Sequence, residues 1–388
     1  MNKLSSAGPG LIEGLSCVEA SMIGTYAYIF GTDKGTLLWA VIVPFLLWPL
    51  IEASASLLGE GTRMNFLEII KRKYGDGLAA LAALSLLASN LSAMVAELIA
   101  ASLALSMLSG FPWPVFVPIS LSVLFLAPSA SGRHWKLIVL MGSLPMLAFP
   151  ATALLVILRN PISLGLVGSG VFRVNGVFNG SDVIAIIGAT VAPDAIFFAE
   201  ESGYEEKTSF LGVGIGHVVA LLVSLSVAIT FALSFAGVPP SSLVGIAGAL
   251  TPTLGNYAYF IFPVALFSSC VAAFAVALKP WLSSLSFLTG LPRSRREEFL
   301  PATVVLVMGT SLYLGLMESW RARAFEQAAY TSGVISSVGL IAPLILLSAL
   351  VFNAKNKKNL PLSLKVFLPL YSLLLVGIVF SGLLSIII

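Results

Sequence analysis

Eleven apolar runs, each about as long as a bilayer is thick, take up nearly all of this chain. They lie near 9–30, 36–58, 77–108, 114–131, 137–158, 182–200, 209–236, 254–281, 299–317, 328–352 and 361–387. A helix needs about 20 residues to cross ~30 Å of hydrocarbon. In lipid every backbone N–H and C=O must be paired within the segment, so each run is read as a helix. Composition agrees: 58% of the 388 residues are apolar and 10% are charged, with a mean hydropathy of +1.00. Soluble domains carry about 25% charged residues. The expected fold class is therefore an all-α, multi-pass integral membrane protein, a single transmembrane domain over residues 1–388.

The basic residues set an orientation. With a cytoplasmic N-terminus, sixteen of the 21 Lys and Arg fall on the inner side, and Lys34, Arg159, Arg173, Arg321 and Arg323 fall outside. That is a strong positive-inside bias. It puts the C-terminus outside and suits a plasma (inner) membrane. The segment MNKLSSAGPG is too short and too weakly charged to read as a signal peptide. The longest outer connection, about 159–181, is Gly-rich and is read as a loop. The net charge of +3 gives no reason to expect a nucleic-acid partner. The expected partners are the bilayer and a small substrate. The two cysteines, Cys17 and Cys270, make neither a disulfide framework nor a metal cluster.

Two carboxylates interrupt this apolar pattern beside small residues and a proline. Glu19 lies in GPGLIEGLSCVEASMIGTYAY (8–28) and Asp194 in DVIAIIGATVAPDAIFFAEE (182–201). A charge at bilayer depth costs roughly 2.5–3.5 kcal/mol or more. Discontinuous helices, whose ends and unwound carbonyls line an ion site, are one way that membrane proteins accommodate such charges. The two interrupted runs are the first and the sixth, an odd number of spans apart. This predicts a five-plus-five inverted repeat, about 8–158 and 182–352, with broken helices 1 and 6 and an extra helix at about 361–387.

The motifs in these runs resemble one family. GPGLIEGLSCVEAS is similar to the opening of the NRAMP divalent-metal transporters, where G-P-G precedes D-P-G-N. LLGEGTRMNFLEII (57–70) resembles that family's second-span exit, AMVAELIAASLALSMLSGFP (93–112) its third span, and IIGATVAPDAIFF (186–198) its sixth-span G-A-T-x-M-P-H-N. The resemblance runs in one order along nearly the whole chain. It implies a LeuT-type fold and a secondary transporter of a divalent cation, with no catalysis and no cofactor beyond the transported ion.

The departures bear on the ion. D-P-G-N is replaced by Glu19, Ala20, Ser21 and Met22, and M-P-H-N by Ala192, Pro193, Asp194 and Ala195. The methionine that the resemblance would make a soft ligand is gone, as are its asparagine and two histidines; Ala199 occupies the second histidine position. The third span keeps Glu97 but has Met94 in place of an aspartate, and the tenth-span region YTSGVISSVGLIAP lacks glutamine. Carboxylates and carbonyls suit magnesium and manganese, and sulfur suits softer ions. The expected metal ligands are Glu19 and Asp194, with the backbone carbonyls of Ser16 and Ala189 completing the shell. The lost histidines argue against the family's usual proton coupling.

Other residues carry two readings. Cys17 reads first as a small buried hydrophobe and second as a sulfur ligand. Glu97, Glu13 and Glu52 read either as an ion or proton pathway or as hydrogen-bonded bridges between packed helices. His217 reads as a packed, hydrogen-bonded residue. LGVGIGH (211–217) lacks the Lys-Ser/Thr of a nucleotide loop, and no HExxH or Ser/His constellation sits in a span, so enzyme chemistry is not expected. Two alternatives remain open: an amino-acid or organic-cation transporter of the same fold, and a non-transporting NRAMP-like sensor.

Overall fold

A computed structural model describes residues 19–62, 64–126, 147–159, 162–172, 179–191, 193, 196–197, 210–235, 237–317, 323–353 and 362–387. Among them a helix stands on each of the eleven apolar runs. The helices of nine residues or more are α1 (Ala20–Asp33), α2 (Leu38–Thr62), α3 (Phe66–Tyr74), α4 (Asp76–Ser109), α5 (Val117–Leu126), α6 (Ala148–Arg159), α7 (Ile162–Phe172), α8 (Gly180–Thr190), α9 (Phe210–Ser234), α10 (Ala258–Thr289), α11 (Leu300–Leu316), α12 (Ala324–Phe352) and α13 (Leu362–Ile387). Seven described segments are long and apolar enough to cross a membrane, and three shorter apolar helices accompany them. Large apolar side chains stay exposed on α11 and α13, such as Val305, Leu316, Phe367, Leu373 and Phe380. Such faces suit hydrocarbon rather than water.

Two of these helices lie where no span was expected. α3 is a short amphipathic helix with a capping box: the Asn65 side chain accepts from the Glu68 amide at 2.8 Å, and Glu68 accepts from the Asn65 amide at 3.1 Å. Lys71, Arg72 and Lys73 occupy its last turn, where the helix dipole favours cations. Phe66, Leu67, Ile69 and Ile70 are buried, and the helix packs on α4. The Gly-rich segment read as a loop contains α7, which packs against α2. Its glycines permit a helix because packing, rather than propensity, supplies most helical stability.

The core is organised around α12. It packs on α1, α4, α8 and α13, and small residues set the spacing. A Cβ on Gly188 of α8 would overlap the carbonyl oxygen of Gly333 on α12, and a Cβ on Gly333 would overlap that of Ala185. The Ser337 hydroxyl then reaches across to donate to Ile184 O at 2.6 Å. Prolines stand inside α2, α10, α12 and α13, as neighbouring helices allow in membranes.

The α8–α12 seam yields a prediction. Gly333→Val should lower the stability of the purified protein by about 1–3 kcal/mol, the usual cost of overpacking. Gly309→Ala on α11, where an added Cβ meets nothing within 4 Å, should leave it unchanged. Thermal unfolding in detergent compares them, and equal melting curves would contradict the close seam.

Candidate functional site

The first broken span supplies the start of the site. Glu19 sits in extended conformation (φ −101°, ψ 169°) just before α1, and the ladder begins with the Ile23 amide donating to Glu19 O at 3.2 Å. The first amides of any helix lack intrahelical partners and carry its positive pole. Here a carboxylate from another helix takes one of them: the Ser21 amide donates to Glu97 Oε1 on α4 at 2.9 Å. The Ser21 hydroxyl donates to Glu19 Oε1. Two carboxylates therefore meet at the positive end of α1, Glu97 being 1% exposed.

Cys270 joins them from α10. It is fully buried, its thiol lies beside the Glu97 carboxylate, and Glu19 lies close enough to act on it electrostatically. Sequence reasoning gave Cys270 no role, because it stands in a plain apolar run about 170 residues from Glu97. Only the packing of α4 on α10 brings them together. Met22, one turn into α1, has its sulfur engaged elsewhere: the Ser224 hydroxyl of α9 donates to it at 3.1 Å.

The second break lies beside the first. α8 ends at Thr190, and Val191 is extended (φ −136°, ψ 99°) while its amide still donates to Ile187 O at 2.9 Å. Pro193, just beyond, has no amide to continue the ladder, and its carbonyl accepts from Ile196 at 3.2 Å. The Thr190 hydroxyl donates to Ile186 O at 2.6 Å, so its 2.7 Å contact with Tyr26 is one in which the tyrosine donates. This bond fastens α1 to the C-terminal end of α8, whose carbonyl pole is negative. Ala189 lies in that last turn and is buried.

The expected site residues divide accordingly. Glu19, Glu97 and Ala189 belong to the two adjoining helix ends. Glu52 lies apart, between α2 and α9. Glu13, Ser16, Cys17 and Asp194 lie outside the described residues. Among the described residues no group of three or more His, Cys, Asp or Glu is arranged to hold a metal.

Glu97 thus caps α1 from a neighbouring helix. Glu97→Ala would strand the buried Ser21 amide, at a cost of about 1–3 kcal/mol. Glu97→Gln keeps an acceptor and should recover most of the loss. Chemical unfolding of both variants checks this, and equal destabilisation would show that the bond contributes little.

Comparison with known proteins places this arrangement. Residues 30–388 match the family model described as natural resistance-associated macrophage protein-like (Nramp). The divalent metal cation transporter MntH of Deinococcus radiodurans is 25% identical over 325 residues, covering 78% of this chain and 74% of its own. The crystal structure of the Eremococcus coleocola manganese transporter, in complex with an aromatic bis-isothiourea substituted compound, superposes with a TM-score of 0.73 at 18% identity. It covers 99% of this chain and 93% of that one. MhsT in complex with L-phenylalanine, a LeuT-fold protein, gives 0.66 at 14% identity over 96% and 98%. With its helix breaks, LeuT-type architecture and near full-length family match, the chain belongs to the natural resistance-associated macrophage protein-like family.

Proposed function

We propose that this protein is a secondary transporter that moves a divalent metal cation, magnesium or manganese, across the membrane by alternating access. The observation that carries this reading is the pair of adjoining helix ends: Glu19 and Glu97 at the start of α1, beside the carbonyl end of α8, fastened by Tyr26 and Thr190. A divalent ion compensates the charge of the carboxylates, and carbonyl and carboxylate oxygens are hard donors that suit both ions. Glu19 and Asp194 are the charged ligands in this reading. The backbone carbonyls of Ser16 and Ala189 complete the shell, and Cys17 is an optional sulfur donor. Glu97, Glu13 and Glu52 would serve the ion's path.

Family membership and the names of the relatives, a divalent metal cation transporter and a manganese transporter, support a metal substrate. The Cys270 thiol beside Glu97 adds a soft donor near the carboxylates, so the balance between hard and soft ions becomes measurable. The positive-inside count supports a cytoplasmic N-terminus.

Flux into proteoliposomes tests the proposal. Manganese or magnesium should cross, and Glu19→Ala and Asp194→Ala should each weaken binding roughly tenfold or more, the scale lost even when second-shell partners of a metal are removed. Cys270→Ala should spare magnesium flux while reducing any binding of cadmium. Unchanged flux in both carboxylate variants, or uptake of an amino acid in place of metal, would overturn the assignment.

A further inference from the structure

A cleft of about 320 Å³ lies between α4, α11 and α12. Packed interiors leave few voids larger than a water molecule, and pockets that take small molecules begin near ~300 Å³. Leu91 and Val95 of α4, Leu314 of α11 and Ile335 of α12 line it, and no charged side chain does. Its hydroxyls have committed their protons to the protein. Ser92 donates to Ser89 O at 2.8 Å and Thr310 to Leu306 O at 2.8 Å. That leaves Ser332 to donate in its 3.4 Å contact with Ser92 Oγ. A bound water needs two to four polar partners, and a divalent cation needs about six oxygen ligands. The cleft suits neither and favours an apolar occupant.

Ala88 and Thr331 line the cleft and are also exposed, so they mark its mouth. Exposed apolar residues continue from there at helical spacing. Leu84, Leu81 and Leu78 follow Ala88 along one face of α4, and Val338, Ile345 and Phe352 follow Thr331 in seven-residue steps along α12. Residues at these spacings share a helix face. α4 and α12 are antiparallel: Ser92 meets Ser332, while Gly339 stands against Ser85 and Ser89. The two stripes therefore run the same way from the mouth, toward the start of α4 and the end of α12. Ala88 to Leu78 is about 15 Å of helix, one leaflet's share of ~30 Å of hydrocarbon.

We propose that this cleft binds the end of a phospholipid acyl chain, which reaches it along the track from the leaflet on the side where α4 begins. The mouth is continuous with surface that faces hydrocarbon. On α11, Leu306 and Tyr313 flank the lining residue Thr310 and are exposed. Moving a methylene from lipid into the cleft brings no hydrophobic gain, because lipid tails are as apolar as leucine. The gain is in contact, since atoms lining an empty space forfeit their dispersion partners. α11 packs on α4 and α5, and the chain end fills the space left between α11 and α12. Small side chains at Ala88, Ser92, Ala328 and Ser332 leave an opening that a flexible chain end can enter.

Photolabelling of the full-length protein tests this. The protein is reconstituted in bilayers containing phosphatidylcholine with a diazirine near the methyl end of one acyl chain, irradiated, digested and mapped by mass spectrometry. Adducts are expected on Leu91, Val95 and Ile335 in the cleft, besides those on outward residues such as Leu373 and Phe380 of α13. Val95 is 4% exposed, so lipid that only surrounds the protein does not reach it. Ala88→Phe and Thr331→Phe, one at each lip of the mouth, should each cut labelling of the cleft several-fold relative to α13. A diazirine close to the headgroup should mark Leu78 or Phe352 instead. Adducts confined to exposed residues of the unsubstituted protein would overturn the proposal, whether or not the variants fold. Cleft labelling that both variants leave unchanged, or equal marking of Val95 by the two lipids, would do the same.

Discussion

The hydrogen bond from the Ser21 amide to Glu97 answers the main constraint on this molecule. Inside hydrocarbon a helix satisfies its own backbone everywhere except at its ends. A helix that starts part-way along an apolar run exposes amides that must find partners from elsewhere in the protein. Glu97 reaches from α4 to do this, Cys270 leans on the same carboxylate from α10, and Tyr26 ties α1 to the end of α8. Four helices are fixed relative to one another because one of them begins at Ala20. The polar chemistry of the protein gathers there for the same reason.

Such a centre depends on close walls. α8 meets α12 through glycine and serine, with so little space that a methyl group does not fit at Gly188 or Gly333. Lipid gives helices no hydrophobic incentive to associate, so close backbone approach and interhelical hydrogen bonds must hold them. The Ser337 bond to Ile184 O is one of these. Between α2 and α9, the buried Glu52 carboxylate accepts from the Trp48 indole and lies 3.4 Å from His217 Nε2.

The spans were legible because hydropathy over about 20 residues has one physical interpretation in a membrane. The breaks were legible at Glu19 and Pro193, where a charge and a missing amide contradict a smooth helix. Glu97 was found through its place in a motif, though its role as a cap on α1 was not, since the motif says nothing of which amide it faces. α3 was missed because its polar face interrupts the apolar count, and α7 because glycine reads as loop until a neighbour packs on it. Cys270 gave no local signal at all, and His217 was read as a packed residue without its partner.

Length, hydropathy and the positions of a few charges determined by themselves that this chain is a bundle of membrane helices with two interruptions, because burial in lipid penalises backbone and charge in ways that depend on local sequence. Which side chains meet at those interruptions was decided by tertiary structure alone. The Ser21 amide, the Glu97 carboxylate and the Cys270 thiol are brought together by helix packing across 248 intervening positions of sequence from the first to the last. That packing rests on the sizes of residues such as Gly188 and Gly333, whose effect exists only when the facing helix is in place.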